Sequence, residues 1–306
     1  MRSPLSPSGR QHQMARWSLP EFRIYSGWRS GSTVRCSRRV AEVTARAPRR
    51  PPAGVSGVAG GYACPVDVRI GTSGWVYRDW KDHVYPQGLP QRAWLEHITQ
   101  RFSTVELNAS FYRLPPRRTF EGWRTRVPAG FVFAVKMSRF FTHIRRLRDP
   151  QEPITRFWEA ASGLGPALGP VLFQFPPRFG VEVNLLRETL AMLPTGMRAA
   201  FEFRDRSWET DNVLQALDAA GAAWVLADWP GTRVAPHVTG GWSYIRLHKG
   251  TSEAFGYPPA KLRRWAERIA TLPASQIYCY FNNDPGGAAV RDAEALRSLI
   301  DALVAS

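Results

Sequence analysis

The chain has 306 residues, and its hydrophobic content of 44% with twelve Trp indicates a globular protein with a large core rather than a disordered one. It contains no run of about eighteen consecutive apolar residues, so we expect no transmembrane helix and no membrane partner. The formal net charge is +16, but residues 1–66 hold eleven Arg and only two acids, so they carry +9 and the rest carries 16 − 9 = +7. The basic balance is therefore largely a property of the N-terminal segment and says little about a partner of the body.

Residues 1–65 form a segment rich in Arg, Pro, Ser and Gly without periodicity, and we predict that it is a disordered tail. An organelle transit peptide, a nucleic-acid-binding arm and a mis-assigned start codon are alternatives for this segment. No apolar run follows the N-terminal Arg, so no secretory signal is expected. The cysteines Cys36, Cys64 and Cys279 have neither disulfide nor metal spacing, which favours a reducing, cytoplasmic location.

From residue 66 onward, short apolar runs alternate with amphipathic segments of helical length. We predict eight strands, at residues 68–75, 104–112, 131–138, 171–176, 199–205, 223–229, 242–249 and 277–284. Only the sixth connection, 230–241, is rich in Pro and Gly and has no predicted helix. Strands that alternate with helices indicate parallel pairing, and eight of them in roughly 240 residues predict a single TIM-type (β/α)8 barrel over residues 66–306. An open doubly wound sheet is the alternative.

Polar side chains recur on one alternating face of seven strands, near the end of each strand. In the second strand, for example, Val105 and Leu107 share one face and Glu106 lies on the other. The polar candidates are Glu106, Asn108, Lys136, Gln174, Glu202, Arg204, Asp228, Arg246, His248 and Asn282. The C-terminal ends of parallel barrel strands meet at one mouth, where such enzymes place their chemistry. Three carboxylates balance three cations in this set, so a functional cavity and a buried structural ion network are both possible.

Seven stretches resemble the domain of unknown function 72, or YecE-like, family: IGTSGWVYRDWK, FSTVELNASFYRLP, FVFAVKMSRFFTHIRRLRD, LGPVLFQFPPRF, FEFRDRSW, YIRLHKG and YCYFNND. The resemblance covers the chain from about residue 68 to the C-terminus. It implies a TIM-type barrel, usually bacterial or archaeal and cytoplasmic, without an agreed activity. The chain departs from the family pattern by the additional Lys249, by Ala288 in place of a histidine and by Asp292 in place of an asparagine.

The first functional hypothesis is an enzyme that hydrolyses a phosphoester in a small phosphorylated molecule or a nucleic acid. His248 would be the general acid or base, with Glu202, Asp228 or Glu106 to orient it or activate a water. Lys136, Arg204 and Arg246 would clamp the anion, with Asn108, Gln174 and Asn282 beside them. Gly286 and Gly287, with the loop 248–259, would form a phosphate-binding rim. Asp284 is predicted to cap the last helix.

A divalent metal is weakly supported as a cofactor. His143 and His248 are the histidines expected near the mouth, where three carboxylates would join them as ligands. The sequence contains no HExxH or other His/Cys ligand spacing, and three competing cations argue against a metal.

Carbohydrate chemistry is the second hypothesis, because a glycosidase needs paired carboxylates and Glu106 with Glu202 are the inward Glu pair. An aromatic rim would stack on the sugar: Trp75, Tyr77, Tyr112, Trp208 and Trp229. Packing in the core is the competing interpretation of these aromatic residues.

A non-catalytic module that binds nucleic acid or a protein is the third hypothesis. It rests on residues 139–149, which combine four Arg with Phe140 and Phe141 and suit phosphate contacts and base stacking. A solvated loop is the plainer interpretation. Lys136 also admits Schiff-base chemistry, which a nearby Glu106 or Glu202 would oppose by keeping the amine protonated.

Overall fold

The computed structural model describes residues 66–231, 233–248 and 255–305. Eight strands follow one another: β1 (Asp67–Thr72), β2 (Thr104–Leu107), β3 (Val132–Lys136), β4 (Leu168–Gln174), β5 (Ala199–Glu202), β6 (Ala223–Asp228), β7 (Ser243–Leu247) and β8 (Gln276–Phe281). The helices are α1 (Trp94–Thr99), α2 (Ala109–Tyr112), α3 (Arg117–Arg124), α4 (Gln151–Ala161), α5 (Val183–Ala191), α6 (Asp211–Ala219), α7 (Pro259–Thr271) and α8 (Ala288–Val304).

All strand pairs are parallel, and the sheet order runs β1-β8-β7-β6-β5-β4-β3-β2. β1 and β2 lie side by side at the seam, where Gly71 is the residue that lets them approach. A Cβ on Gly71 would stand 2.2 Å from the carbonyl oxygen of Thr104, so no larger side chain fits there. The predicted TIM-type barrel is therefore confirmed, with its strands in a nearly closed ring.

Each strand presents one face to the helices and the other to the barrel interior. The outer face builds the main core, in which Phe173 and Phe201 stack with ring centroids 4.9 Å apart. The interior has a smaller apolar cluster, formed by Ala134, Leu172, Ala200, Ala223, Val225, Trp242, Tyr244, Tyr278 and Tyr280. This cluster fills the barrel interior on the side of the N-terminal strand ends, so the polar side chains at the C-terminal strand ends pack against an apolar layer.

The predicted strands are all present, but seven of the eight are shorter than predicted, and the second differs most. The second strand ends at Leu107, and Ala109–Tyr112 form a single helical turn. The hydroxyl of Ser110 donates to the carbonyl oxygen of Lys136 at 2.6 Å, which fastens this turn to β3. The described part of the sixth connection contains no helix, as predicted.

Two predictions concern residues outside the described ranges. They are the tail 1–65 and the part of the strand 7 loop that comprises residues 249–254. None of the described helices has the length and apolar character needed to cross a membrane.

Candidate active site at the mouth of the barrel

The centre of the mouth is an ion cluster in which one arginine joins two glutamates. Arg246 on β7 bonds Glu106 on β2 at 2.9 Å from Nε and 2.7 Å from Nη2, and bonds Glu202 on β5 at 2.7 Å from Nη1. Tyr244 donates to Glu106 at 2.7 Å, and Gln174 donates to Glu202 at 2.8 Å. Both carboxylates are fully buried, so their charge is compensated within the cluster rather than by solvent.

This cluster fixes the protonation of the two glutamates. Burial is the largest effect and would raise the pKa of each carboxyl group, but Arg246 together with the other neighbouring cations and hydrogen-bond donors outweighs it and holds the pKa of Glu106 and of Glu202 below the usual range. Both groups are therefore carboxylates at neutral pH, and neither is suited to donate a proton to a substrate.

Lys136, the last residue of β3, lies beside this cluster but outside its hydrogen bonds. Its Nζ is 4.1 Å from the centroid of the Phe111 ring, and the side chain makes no hydrogen bond or ion pair with any described residue. Burial and the neighbouring Arg246 lower the pKa of Lys136 to about 7, although Glu106 and Glu202 oppose the shift. A substantial fraction of the amine is thus neutral at physiological pH.

His248 lies between an aromatic face and a side-chain amide. Its ring stacks on Trp229 with centroids 3.5 Å apart, and its Nδ1 is 3.0 Å from Nδ2 of Asn282. Burial and the guanidinium of Arg246 keep the pKa of His248 well below its usual value. The ring is therefore neutral at physiological pH and poorly placed to exchange protons with a substrate.

Arg204 is the cation at the mouth with the most access to solvent. Its guanidinium stacks on Trp229 at 3.9 Å and lies 3.4 Å from Glu202, and about a quarter of its side chain is exposed. Glu202 already accepts from Arg246 and Gln174, so the contact with Arg204 leaves guanidinium N–H groups available to a ligand.

The prediction that Asp228 lies in the mouth was wrong. Its carboxylate faces outward to α7, where Lys261 donates to it at 3.0 Å and Trp265 at 3.1 Å. Val225 instead belongs to the interior cluster, so the faces of β6 are reversed relative to the prediction. Asp228 fastens a helix to the barrel and is not assembled with the other candidates.

The loop after β8 also differs from its prediction. Asp284 stands at the N-cap position of the helical turn before α8, with Pro285 after it, as predicted, but its side chain makes no capping hydrogen bond. The amide of Gly286, predicted to bind an anion, instead donates to the carboxylate of Asp79 at 2.7 Å. Gly287 has a φ of +71°, and a Cβ there would stand 2.6 Å from Val84. Both glycines therefore serve the conformation and packing of the loop.

Asp284 belongs to a group of polar side chains at the ends of β8, β1 and β2. Burial raises the pKa of Asp284 to about 7, and the nearby carboxylate of Glu106 adds to this effect. The hydroxyl of Tyr77 and Nδ2 of Asn108 both donate to the carbonyl oxygen of Ser73. Oδ1 of Asp284, Oγ of Ser73 and Oδ1 of Asn108 are buried and have no hydrogen-bond partner among the described residues.

The family model for "Protein of unknown function DUF72" matches residues 69–305, which is most of the chain. This chain belongs to the DUF72 family. The UPF0759 protein YunF of Bacillus subtilis (strain 168) is 26% identical over 274 residues, which cover 76% of this chain and 95% of that protein. The family resemblance inferred from the sequence motifs is thereby confirmed.

Solved DUF72 structures have the same fold. A family protein from Thermotoga maritima MSB8 (TM1631) is 28% identical, with a TM-score of 0.69, and the match covers 77% of this chain and 99% of that one. A family protein from Enterococcus faecalis V583 (EF0366), 21% identical with a TM-score of 0.65, matches 76% of this chain and 95% of its own, and supports the fold alone.

Two of the three positions at which this DUF72 chain departs from the expected motif, Ala288 and Asp292, lie at the start of α8, and the third, Lys249, lies outside the described residues. Ala288 is buried, and Asp292 accepts hydrogen bonds from Nδ2 of Asn283 and the amide of Tyr257, at 2.7 and 2.8 Å. Asn283 points away from the mouth. Asp292 therefore orders the end of the loop before α7 rather than contacting Asn282 or His248.

The residues proposed for a metal do not fit one. No group of three His, Cys, Asp or Glu within the described ranges is arranged to hold a metal ion. Glu106 and Glu202 are bound by Arg246, and Asp228 lies on the other side of β6. His143 does approach the mouth, because its ring packs against Phe111 at 5.0 Å, beneath Lys136.

The aromatic rim of the carbohydrate hypothesis is only partly assembled. Trp208 is fully buried and stacks on Phe203 at 4.4 Å, and Trp75 packs edge-on against Trp123 at 5.9 Å, so both belong to the outer core. Glu106 and Glu202 share one arginine and both have a lowered pKa, whereas a glycosidase requires one carboxyl group with a raised pKa.

The basic segment after β3 contains a π-helical turn, Phe140–Arg145. Phe141 is buried in the core, whereas Phe140 is 45% exposed and has the guanidinium of Arg145 4.9 Å from its ring. Only Phe140 of the predicted pair is thus available for stacking on a base.

The sequence reasoning missed Ser73 and the role of Asp284 in the mouth. Ser73 comes directly after β1, in IGTSGW, and the period-2 alternation of that strand would have placed its hydroxyl on the inner face. Asp284 had the same signal, because alternation along the eighth strand places it on the inner face with Asn282, but the Asp-Pro-Gly-Gly motif is typical of a helix start and favoured a capping role.

Proposed function

We propose that the mouth of the barrel is the active site of an enzyme that acts on a small phosphorylated substrate. The observation that carries this proposal is the charge left there once Asp228 is assigned to the outer face. Lys136, Arg204 and Arg246 then face only Glu106 and Glu202, which gives a net charge of +1 in the state with Lys136 charged and Asp284 protonated. Both pKa values are about 7, so an anionic ligand would select this state from those populated near neutral pH.

Two poles of the mouth define the ligand more closely. Lys136 and Arg204 form a cationic pole on the β3–β5 side, suited to a phosphate. The unpartnered oxygens of Ser73, Asn108 and Asp284 form an acceptor pole on the β8–β1–β2 side. Acceptors without donors suit the hydroxyl groups of a ligand, because a hydroxyl can donate to each of them. The proposed substrate therefore carries both a phosphate and hydroxyl groups.

The proton transfers are assigned to Lys136 and Asp284 rather than to His248. The pKa of each group is shifted to about 7, from opposite directions, and a group with such a pKa exchanges protons most effectively near neutral pH. In the hydrolysis of a phosphoester, which the sequence favours, the carboxylate of Asp284 would accept a proton from water and the ammonium of Lys136 would protonate the leaving oxygen. The same pair also serves proton transfers next to a carbonyl group.

Calorimetric titration with glycerol phosphate at low salt tests the proposal. We expect binding by the wild-type protein and a loss of about 10–100-fold in affinity for Arg204→Met, since a hydrogen bond to a charged group contributes about 1.5–3 kcal/mol. Arg187→Met is the matched control, because Arg187 is an exposed residue on α5, outside the barrel. Unchanged affinity of Arg204→Met, or no binding by the wild type, would contradict the proposal.

A single-stranded oligonucleotide provides the comparison arm of the same experiment. If the oligonucleotide binds through the exposed Phe140 and its neighbour Arg145, Phe140→Ala will weaken that binding and leave the glycerol phosphate titration unchanged. Such a result would favour the nucleic-acid alternative over a small substrate.

A further inference from the structure

Lys136 differs from the other charged side chains in the mouth because its charged group lies against an aromatic ring. It is 8% exposed, and its Nζ lies over the Phe111 ring at 4.1 Å. The carboxylates that would be expected to pair with it, Glu106 and Glu202, are both taken up by Arg246 at 2.7–2.9 Å. Within the described ranges, its amine therefore has an apolar neighbour and no bound acceptor.

The backbone around Lys136 holds the side chain in place. Lys136 is the last residue of β3, where it is in register with Leu172 of β4. Its carbonyl oxygen accepts from the hydroxyl of Ser110, so the α2 turn that carries Phe111 is fastened to the same residue. The amine and the ring beneath it are thus positioned by one connected unit rather than by a mobile loop.

We infer that Lys136 is a nucleophile that forms a Schiff base with an aldehyde or ketone group of the substrate. This inference rests on the proposed function, because it specifies the phosphorylated substrate as a hydroxy-aldehyde or hydroxy-ketone. A lysine amine becomes nucleophilic when it is desolvated next to another cation, and Arg246 is such a cation here.

The step requires no oxidant or reductant. The lone pair of Nζ attacks the carbonyl carbon, forming the C–N bond and breaking the C=O π bond, and a proton moves from the nitrogen to the carbonyl oxygen to give a carbinolamine. Loss of the hydroxyl group with a further proton, as water, leaves an iminium ion on Lys136. Counted from the ammonium form of Lys136, the sequence releases only water, because the proton that the amine gives up before the attack equals the proton that leaves with the hydroxyl group.

The cluster that leaves Lys136 unpaired also stabilises the product. Glu106 and Glu202 both favour the charged form of the Lys136 nitrogen, and the Phe111 ring presents its π face to it. The iminium ion retains the positive charge at this nitrogen, so both effects act on it as they act on the ammonium.

Borohydride trapping tests the inference. The protein is incubated with glyceraldehyde 3-phosphate or with glyceraldehyde, reduced with borohydride, digested and mapped by mass spectrometry. We expect a secondary-amine adduct on Lys136 at least tenfold more abundant than on any other lysine. Lys136→Met should lose this adduct, and Lys261→Met should keep it, because Lys261 lies on α7 with Asp228.

The outcomes separate this inference from the proposed function. Equal labelling of Lys136 by both aldehydes would support the Schiff base. It would contradict the proposal that the substrate must carry a phosphate group. Labelling of Lys136 no greater than that of Lys81 and Lys261, while glycerol phosphate still binds in calorimetry, would overturn the inference and leave the proposed function standing.

Discussion

Arg246 holds Glu106 by two hydrogen bonds, 2.9 Å from Nε to Oε2 and 2.7 Å from Nη2 to Oε1, with both side chains almost completely buried. The remaining guanidinium nitrogen is used for Glu202. This arrangement compensates two carboxylates with one cation and leaves the amine of Lys136 without either of them. The reactivity proposed for the mouth is therefore a consequence of the structural role of Arg246.

Removal of Arg246 should destabilise the fold strongly. Arg246→Leu leaves two buried carboxylates without their cation, and breaking a buried pair in this way costs about 3–5 kcal/mol. Urea unfolding measures the loss. Arg101→Leu is the control, since Arg101 pairs with Glu294 at the surface, where such pairs contribute about 0–1 kcal/mol. Equal losses in the two variants would show that the cluster is not desolvated in solution.

Replacement of Lys136 should stabilise the protein. A pKa lowered to about 7 means that burial disfavours the ammonium, at about 1.4 kcal/mol for each unit of pKa. We expect Lys136→Met to raise the free energy of unfolding at pH 7 by about 2–4 kcal/mol, allowing for solvation that is not lost completely. A destabilised Lys136→Met variant would indicate that the amine has a partner in solution.

The same shift gives a pH dependence with a definite sign. Between about pH 7 and the pKa of an unfolded lysine, the unfolded chain binds a proton at Lys136 and the native chain does not. The contribution of Lys136 to stability therefore becomes less unfavourable as pH rises through this range. The difference in unfolding free energy between Lys136→Met and the wild type should shrink from pH 7 to pH 10, and a difference that is constant with pH would contradict the account.

Asp284 should show the opposite dependence. Its pKa is raised to about 7, so the native state retains a proton that the unfolded state loses between about pH 4 and pH 7. This contribution to stability is present at low pH and is lost as pH rises through 7. Asp284→Asn should therefore gain stability relative to the wild type between pH 5 and pH 8, as measured by urea unfolding. Asp149→Asn is the control at a position whose side chain is 85% exposed, and it should show no such gain.

Asp228 provides the sharpest contrast between the sequence prediction and the structure. Because its carboxylate bonds Lys261 and Trp265 on the outer face, Asp228→Asn should cost about 1–2 kcal/mol of stability. The affinity for glycerol phosphate should be unchanged. A loss of affinity for glycerol phosphate without a loss of stability would indicate that Asp228 contacts the ligand in the mouth.

The strand pattern predicted the barrel and most of the mouth for a physical reason. In β2, β5 and β7 one face is apolar and the other polar, so the alternation itself identifies the inner residues Glu106, Glu202 and Arg246. β6 is different, because Trp224, Val225, Leu226 and Ala227 are apolar on both faces. Alternation separates Asp228 from Val225 and Ala227, but residues that are apolar on both faces do not show which face points inward, and the opposite one was chosen.

The rest of the site depends on contacts between residues that are distant in the chain. The carboxylate of Asp79, in the loop after β1, accepts a hydrogen bond from the amide of Gly286, in the loop after β8. This amide was predicted to bind an anion, and the contact with Asp79 occupies it instead. The sharing of Arg246 between two glutamates, which leaves Lys136 unpaired, likewise depends on how side chains from three different strands meet. No pattern of residue types distinguishes it from three separate ion pairs.

The state of Lys136 is the central claim, and the pH dependence of its chemical reactivity tests it most directly. Competitive labelling with trace acetic anhydride, followed by mass spectrometry of the Lys136 peptide, reports the neutral fraction of this amine at each pH. The account predicts half-maximal reactivity near pH 7. Half-maximal reactivity near the ordinary value for lysine, about 10.4, would contradict it.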